Sequence, residues 1–439
     1  MGKSVKWVMP NDYRVMFCIC AVIVIAALFW DTPQNIMQGL YKINTSRSVL
    51  ITDYIELAGI GATLINSAIL FFINLLLLIL TKSNPMGRTI AVLFLTVGFS
   101  FFGKNIFNSI PIIAGVLLYG RVSKTKKIAD LNIMAITGTT IAPIVSEIAF
   151  LGEGTGLSKI FTAYGVGIFV GFIFPIVVEN VKKIHKNFCL YKGGIAGGFI
   201  ATMCAGILIS LGIEIVPENY WSTDSAYSFK LAKLAFIIAF GLIAYGLATD
   251  KSSASQKFKE LTNEKNQNDC DYFLKYGNTA YINIGVMCII ATSLMLFLDI
   301  PINGPVLGGI FTIAGFSACG KHLKNTIPIL IGSTIAASHF NHLPLSAPEN
   351  VLAILFSTGL APIAGRFGAA WGIFTGFVHV SIAILIGDVN GGLNLYNNGF
   401  AGCFVVVIIL PIIAASNSFF MRVKHKIQDK YYPAAPPEE

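Results

Sequence analysis

Residues 98–115 read GFSFFGKNIFNSIPIIAG, and residues 315–332 read GFSACGKHLKNTIPILIG. Ten of the eighteen positions are identical at a constant offset of 217. Such self-similarity in an apolar chain points to an internal duplication, a common origin of transporter folds. The motif also sets a lysine, an asparagine and a proline among apolar neighbours, where each needs a physical reason.

The repeat extends outward from this motif. Asn66 maps to Asn283 and Gly87 to Gly304 at the same offset. Ile141-Ala142-Pro143-Ile144 meets Leu360-Ala361-Pro362-Ile363 at 219, and the stretch 167–172 meets 372–377 at 205. Leu190-Tyr191 with Gly194, Ala196 and Gly197 meets Leu395-Tyr396 with Gly399, Ala401 and Gly402, again at 205. The drop of 14 fits an insertion in the first copy near LGEGTGLSKIFTAY. The similarity is collinear, which chance does not produce.

Composition sets the class. Of 439 residues 55% are hydrophobic and 12% charged, with mean hydropathy +0.72. Soluble domains carry about 25% charged residues. Apolar runs long enough to span a bilayer recur throughout, so the chain reads as an all-α polytopic membrane protein. The net charge of +9 resides in short loops, which fits the positive-inside rule and not a nucleic-acid surface. The eight cysteines form no CxxC pair or metal-ligand spacing and read as small apolar fillers. Histidines 322, 339 and 342 lack cysteine or carboxylate company, so neither a metal nor a cofactor is expected.

Apolar segments fall near 14–31, 53–80, 88–102, 105–120, 129–150, 160–179 and 193–214. A second seven follow near 229–249, 279–298, 304–319, 323–338, 350–365, 368–387 and 398–420. The first, behind Lys3, Lys6 and Arg14, reads as a retained transmembrane helix, not a cleaved signal. The organisation is a first repeat over 1–215, a connection over 216–278 that holds the start of the second, its remainder over 279–420, and a cytoplasmic tail over 421–439. An odd number of segments per copy gives the copies opposite orientation. With the N-terminus inside, 23 of the 31 lysines and arginines fall in inside loops, and Lys42, Arg47, Lys159 and Lys230 fall outside. That asymmetry predicts two inverted-topology repeats with both termini cytoplasmic, in the plasma membrane of a bacterium. The sequence leaves a homo-oligomer open.

From Arg88 to Tyr119 there are too few residues for two ordinary crossings and a turn. Each motif is therefore expected to be a short broken or re-entrant helix pair. Asn108 with Pro111, and Asn325 with Pro328, then open the returning helices, where asparagine caps and proline is tolerated.

Lys104 and Lys321 stand at the same point of the two hairpins. Beside helix N-termini they favour an anion in one central cavity, with Asn108, Asn325, Ser100 and Ser317 as further substrate contacts. The plainer reading is that each lysine snorkels to a headgroup. Ser100 and Lys104, like Ser317 and Lys321, have the four-residue spacing of a nucleophilic dyad, but an enzyme needs one such site and the pair occurs twice. Glu147 has Arg366 at its repeat position, which suggests an ion-coupling pair; the plainer reading is two helix ends. The GxGxxxG of Gly165, Gly167 and Gly171 is a packing face, since no strand precedes it. Tyr191-Lys192-Gly193-Gly194 and Tyr396-Asn397-Asn398-Gly399 read as turns opening the last helix of each copy. His379 stands where the first copy has Phe174.

The phrases GFSxxGKxxxNxIPIxxG and LNLYNNGFAG resemble the DUF1576 proteins, an uncharacterised bacterial membrane family, over most of the chain. That resemblance implies no substrate and no site residues. The seven-plus-seven arrangement is similar in architecture to transporters of the uracil-permease type, without their motifs. The expected function is transport of a small anionic solute by alternating access, not enzymatic catalysis. The alternative is a passive channel of the same build; an intramembrane serine–lysine enzyme is third. The expected partners are the solute and the lipid bilayer, with no nucleic acid.

Overall fold

The computed structural model describes residues 9–123, 128–152, 156–213, 215, 220–265, 270–340 and 342–431. The first copy comprises α1 (Asn11–Trp30), α2 (Pro33–Thr45), α3 (Tyr54–Ala58), α4 (Ile60–Leu80), α5 (Gly87–Phe99), α6 (Ile106–Ser123), α7 (Ile128–Gly138), α8 (Pro143–Phe150), α9 (Leu157–His185) and α10 (Lys192–Ser210). The second comprises α11 (Ser225–Asp250), α12 (Ala254–Thr262), α13 (Tyr272–Tyr276), α14 (Thr279–Phe297), α15 (Gly304–Phe316), α16 (Leu323–His339), α17 (Pro348–Ser357), α18 (Ala361–Phe367), α19 (Ala369–Val389) and α20 (Asn397–Tyr431). Among the described residues ten helices are long and apolar enough to cross a membrane, and a bent pair makes an eleventh. The chain is a multi-pass membrane protein. Each apolar segment of the sequence reading is helical, and helix α20 carries the expected tail on to Tyr431.

The hairpins differ from expectation in one arm. Helices α5 and α15 have 13 residues each, so about 20 Å at 1.5 Å per residue, well short of a bilayer core. The returning helices α6 and α16 have 18 and 17 residues and come close to a full crossing. Pro111 and Pro328 lie in the second turn of those helices rather than the first. Glycine makes the turn itself: Gly103 (φ +77°) and Gly320 (φ +126°) hold the left-handed conformation that other residues avoid. A break the sequence reading did not foresee lies between α7 and α8, which bend by 42° at a short 3₁₀ turn, Thr139–Ile141, ahead of Pro143. Its counterpart is the 3₁₀ turn Thr358–Leu360 between α17 and α18, ahead of Pro362. Proline lacks the N–H that would carry an α-helix through either point.

Small residues set how close the helices come. A Cβ on Gly332 would stand 1.8 Å from the Ile373 carbonyl oxygen, and one on Gly376 2.1 Å from that of Ile329. In the first copy Gly115 approaches Ile168 and Gly171 approaches Ile112 in the same way. These contacts pack α6 on α9 and α16 on α19 backbone to backbone. Gly167 joins this packing face, whereas Gly165 points to open space.

The equivalent helices α5 and α15 run antiparallel. Gly87, at the start of α5, abuts Ala318 beyond the end of α15; Gly98 abuts Gly308; and Gly304, at the start of α15, abuts Phe101 beyond the end of α5. Two aspartates fix this crossing. Asp53 precedes α3 and Asp271 precedes α13, in the matching phrases DYIELAG and DYFLKYG. Each carboxylate caps its own short helix, Asp53 at Ile55 N (3.0 Å) and Asp271 at Phe273 N (3.0 Å). Each also accepts from the first residue of the opposite copy's short arm: Asp271 from Gly87 N (2.7 Å), Asp53 from Gly304 N. An N-terminal turn has four N–H groups without intrahelical acceptors, and inside an apolar bundle a carboxylate satisfies them well.

Removing either aspartate leaves buried donors without acceptors, at about 1–3 kcal/mol. Asp271→Ala and Asp53→Ala should therefore lower the melting temperature of the detergent-solubilised protein. Each carboxylate accepts a third backbone N–H, Asp53 from Ser222 and Asp271 from Leu274, so Asp53→Ala should cost more because Asp53 is fully buried and Asp271 only half-buried. Melting curves of the two variants check the order.

Candidate functional site

Lys104 and Lys321 are buried, with 1% and 0% of their surface exposed. Neither reaches the protein's edge to snorkel. Lys104 donates to the Tyr396 hydroxyl, and its ammonium lies 4.5 Å from the Tyr396 ring centre and 5.6 Å from that of Phe99. Lys321 donates to the Tyr191 hydroxyl (2.6 Å) and to Thr358 Oγ1 (2.9 Å), 4.7 Å from the Tyr191 ring and 5.4 Å from Phe316. Phe99 and Phe316 are repeat mates, and so are Tyr191 and Tyr396. Each lysine thus rests on a tyrosine of the other copy. Cation–π contact in a desolvated site is worth about 2 kcal/mol or more, and among the described residues no carboxylate forms an ion pair with either lysine.

The 3₁₀ breaks complete the crossing. Leu190 N donates to Gly359 O and Leu395 N to Thr140 O, each at 2.9 Å. The loop before α10 is thereby pinned to the second copy's break, and the loop before α20 to the first's. Thr358 Oγ1 and the Tyr191 hydroxyl lie 3.3 Å apart, and the Tyr396 hydroxyl bonds Thr139 in the matching place. Gly194 and Gly399 let the two loops pass: a Cβ on Gly194 would stand 2.4 Å from the Tyr396 carbonyl oxygen, and one on Gly399 2.8 Å from that of Tyr191.

The asparagines and serines hold the hairpins' shape. Asn108 Nδ2 donates to Gly103 O (2.9 Å) and Asn325 Nδ2 to Gly320 O (2.8 Å). Their oxygens accept from Asn105 N and His322 N. Asn66 binds the Ser100 and Lys104 carbonyls and Asn283 the Ser317 and Lys321 carbonyls, all within 2.7–2.8 Å. Ser100 and Ser317 donate back to Thr96 O and Ile313 O. Neither serine bonds its lysine among the described residues. Glu147 is fully buried, and its partner is Arg47, not Arg366. Arg47 Nη2 meets Oε1 at 2.7 Å and Nε meets Oε2 at 3.1 Å. Arg366 lies exposed near the end of α18.

A cavity of about 370 Å³ opens between the short arms α5 and α15 and the starts of α10 and α20. Tyr191, Tyr396, Phe99, Phe316 and Phe356 form its deep aromatic end. Arg88, Asp130, Glu179 and Lys182, all exposed, stand at its mouth. Ser100, Lys104, Asn108, Ser317, Lys321, Asn325, Glu147 and Arg366 do not line it. The lysines instead back the two tyrosines that do. The tyrosines were visible in the sequence as a repeated Leu-Tyr but read there only as turn residues. Asp53 and Asp271 were visible as a repeated Asp-Tyr, which went unread.

Residues 32–210 and 250–415 match the model of a family described as protein of unknown function, DUF1576. No curated protein and no solved structure matches the chain.

The two lysines differ in how they are held, and this gives an ordered outcome. Tyr191→Phe leaves Lys321 with Thr358, whereas Tyr396→Phe removes the one hydrogen bond the Lys104 side chain makes among the described residues. Tyr396→Phe should therefore destabilise more, by about 1–3 kcal/mol, as read from paired denaturation curves.

Proposed function

The chain belongs to the DUF1576 family of proteins of unknown function, and we propose that it is a carrier that moves a small organic anion across the membrane by alternating access between inverted repeats. One observation carries this reading: a cavity ends on repeat-related tyrosines, each backed by a buried lysine of the other copy that makes no ion pair with a carboxylate among the described residues. In their protonated form the two lysines favour an anion in front of them in a low-dielectric surround. The aromatic walls suit an apolar, ring-sized body, and a cavity of this volume falls within the usual range for small-molecule sites.

The antiparallel run of α5 against α15 supports the inversion, because equivalent helices of an inverted repeat point opposite ways. The mouth residues Arg88 and Lys182 sit in loops read as inside. Arg47 sits in a loop read as outside and grips Glu147, next to Ser146, which accepts from Asn108 of the first hairpin (3.0 Å). In this reading the Arg47–Glu147 pair latches the far side shut while the near side stands open. A passive channel would need a pore continuous through both ends.

Binding is tested by melting purified protein with a panel of ring-sized organic anions and their uncharged amides. Anions should stabilise it and amides should not; equal shifts would remove the anion assignment. Lys104→Met together with Lys321→Met, which keeps side-chain bulk, should abolish the shift. Uptake into proteoliposomes should saturate, whereas flux without saturation would favour the channel.

Orientation has its own test. Cys270 and a cysteine placed at His342 should label from opposite sides of the membrane, and labelling from one side would contradict the inversion. Burial, with Glu264 adding, pushes the Cys270 thiol up to about 11. The thiolate is the reacting form, so its labelling should rise about tenfold per pH unit between pH 7 and 10.

A further inference from the structure

Three polar residues of the second copy stand where the first copy has none. Thr375, His379 and Asn398 replace Val170, Phe174 and Gly193 at the common offset of 205. Asn398 lines the cavity, and His379 and Thr375 are fully buried behind it on α19, one helical turn apart. His379 Nε2 lies 3.0 Å from Asn398 Oδ1. A ring that donates there carries its hydrogen on Nε2, which leaves Nδ1 as an acceptor. Among the described residues Nδ1 is buried with no partner, and so is Thr375 Oγ1. A buried imidazole kept only for packing has no use for an orphan acceptor, since the phenyl ring at 174 fills the equivalent place without one.

We propose that His379 is the proton-coupling residue of the carrier, with Asn398 as its contact to the cavity. This rests on the carrier reading and names its coupling ion. On protonation Nδ1 gains the proton, while Nε2–H keeps its bond to Asn398. The ring then carries one positive charge behind the cavity wall. A monovalent anion in the cavity offsets that charge, so proton and anion each favour the other's binding, as linkage requires. Both leave when the other side opens, one proton with one anion. Glu147 is held by Arg47 and is unsuited to this task.

Among the described side chains, the titratable and charged ones on the elements packed against α19 are Lys324 and His339 at the two ends of α16, Glu349 at the start of α17, Arg366 near the end of α18 and Cys403 on α20. On α19 itself there is Asp388 near its end. Among the described residues none is a hydrogen-bond partner of His379.

The test reads the ring directly. Full-length protein labelled with ¹⁵N-histidine in nanodiscs is compared with His379→Phe, which places the first copy's own residue there, to assign the His379 signal. The expected signal is an Nε2–H tautomer that becomes imidazolium as pH falls from 8 to 4, with a midpoint that Asn398→Ala shifts. A ring that stays neutral throughout overturns the proposal. In proteoliposomes, uptake of a panel anion should rise as pH falls, by up to about tenfold per unit. His379→Gln, which keeps a donor for Asn398 but binds no proton, should flatten that rise; an unchanged pH dependence also overturns the proposal. If no panel anion is taken up while the ring titrates, the carrier reading fails and His379 stands as a proton site.

Discussion

Everything in the centre of this molecule depends on exchanging buried polar contacts between the two copies. A broken helix inside an apolar bundle leaves N–H and C=O groups without partners, and a buried lysine leaves a charge without water. Here each copy supplies what the other lacks. Asp271 caps α5 while Asp53 caps α15, and Tyr396 receives Lys104 while Tyr191 receives Lys321. Leu190 and Leu395 stitch the 3₁₀ breaks across the same interface. Leaving such groups unsatisfied costs about 1–3 kcal/mol each, so the copies are bound to one another by the defects they contain.

The exchange also explains why the cavity lies where it does. Two short arms cannot fill the thickness of a bilayer, and the loops that open α10 and α20 come in to meet them. Space remains between those arms and loops, walled by the tyrosines the lysines hold in place. The GK motif is thereby an architectural device. Gly103 and Gly320 make the turns, and the adjoining lysines hold the two tyrosines that wall the cavity.

Much of this was legible in the sequence. Constant offsets gave the duplication, the apolar runs gave the fourteen helical segments, and residue counting gave the short arms α5 and α15. The full lengths of α6 and α16 were not legible, because the proline that suggested a helix start is accommodated one turn further in. Nor were the crossed contacts, since offsets align residues with their equivalents and say nothing of which copy they touch. Tyr191 and Tyr396 looked like turn residues for that reason. Arg366 looked like the partner of Glu147 by symmetry, but Arg47, from the loop between α2 and α3, reaches it instead. Departures from the repeat, such as His379 for Phe174, carried information that similarity alone hid.

The central claim is that the cavity communicates with one face of the membrane at a time. Thr312 on α15 is buried and lines the cavity. Replaced by cysteine in a chain whose native cysteines are alanine, it can be challenged with a membrane-impermeant maleimide from each side of sealed, oriented vesicles. The account predicts modification from the side that carries Lys182 and protection from the other. Equal modification from both sides would mean an open pore and would contradict it.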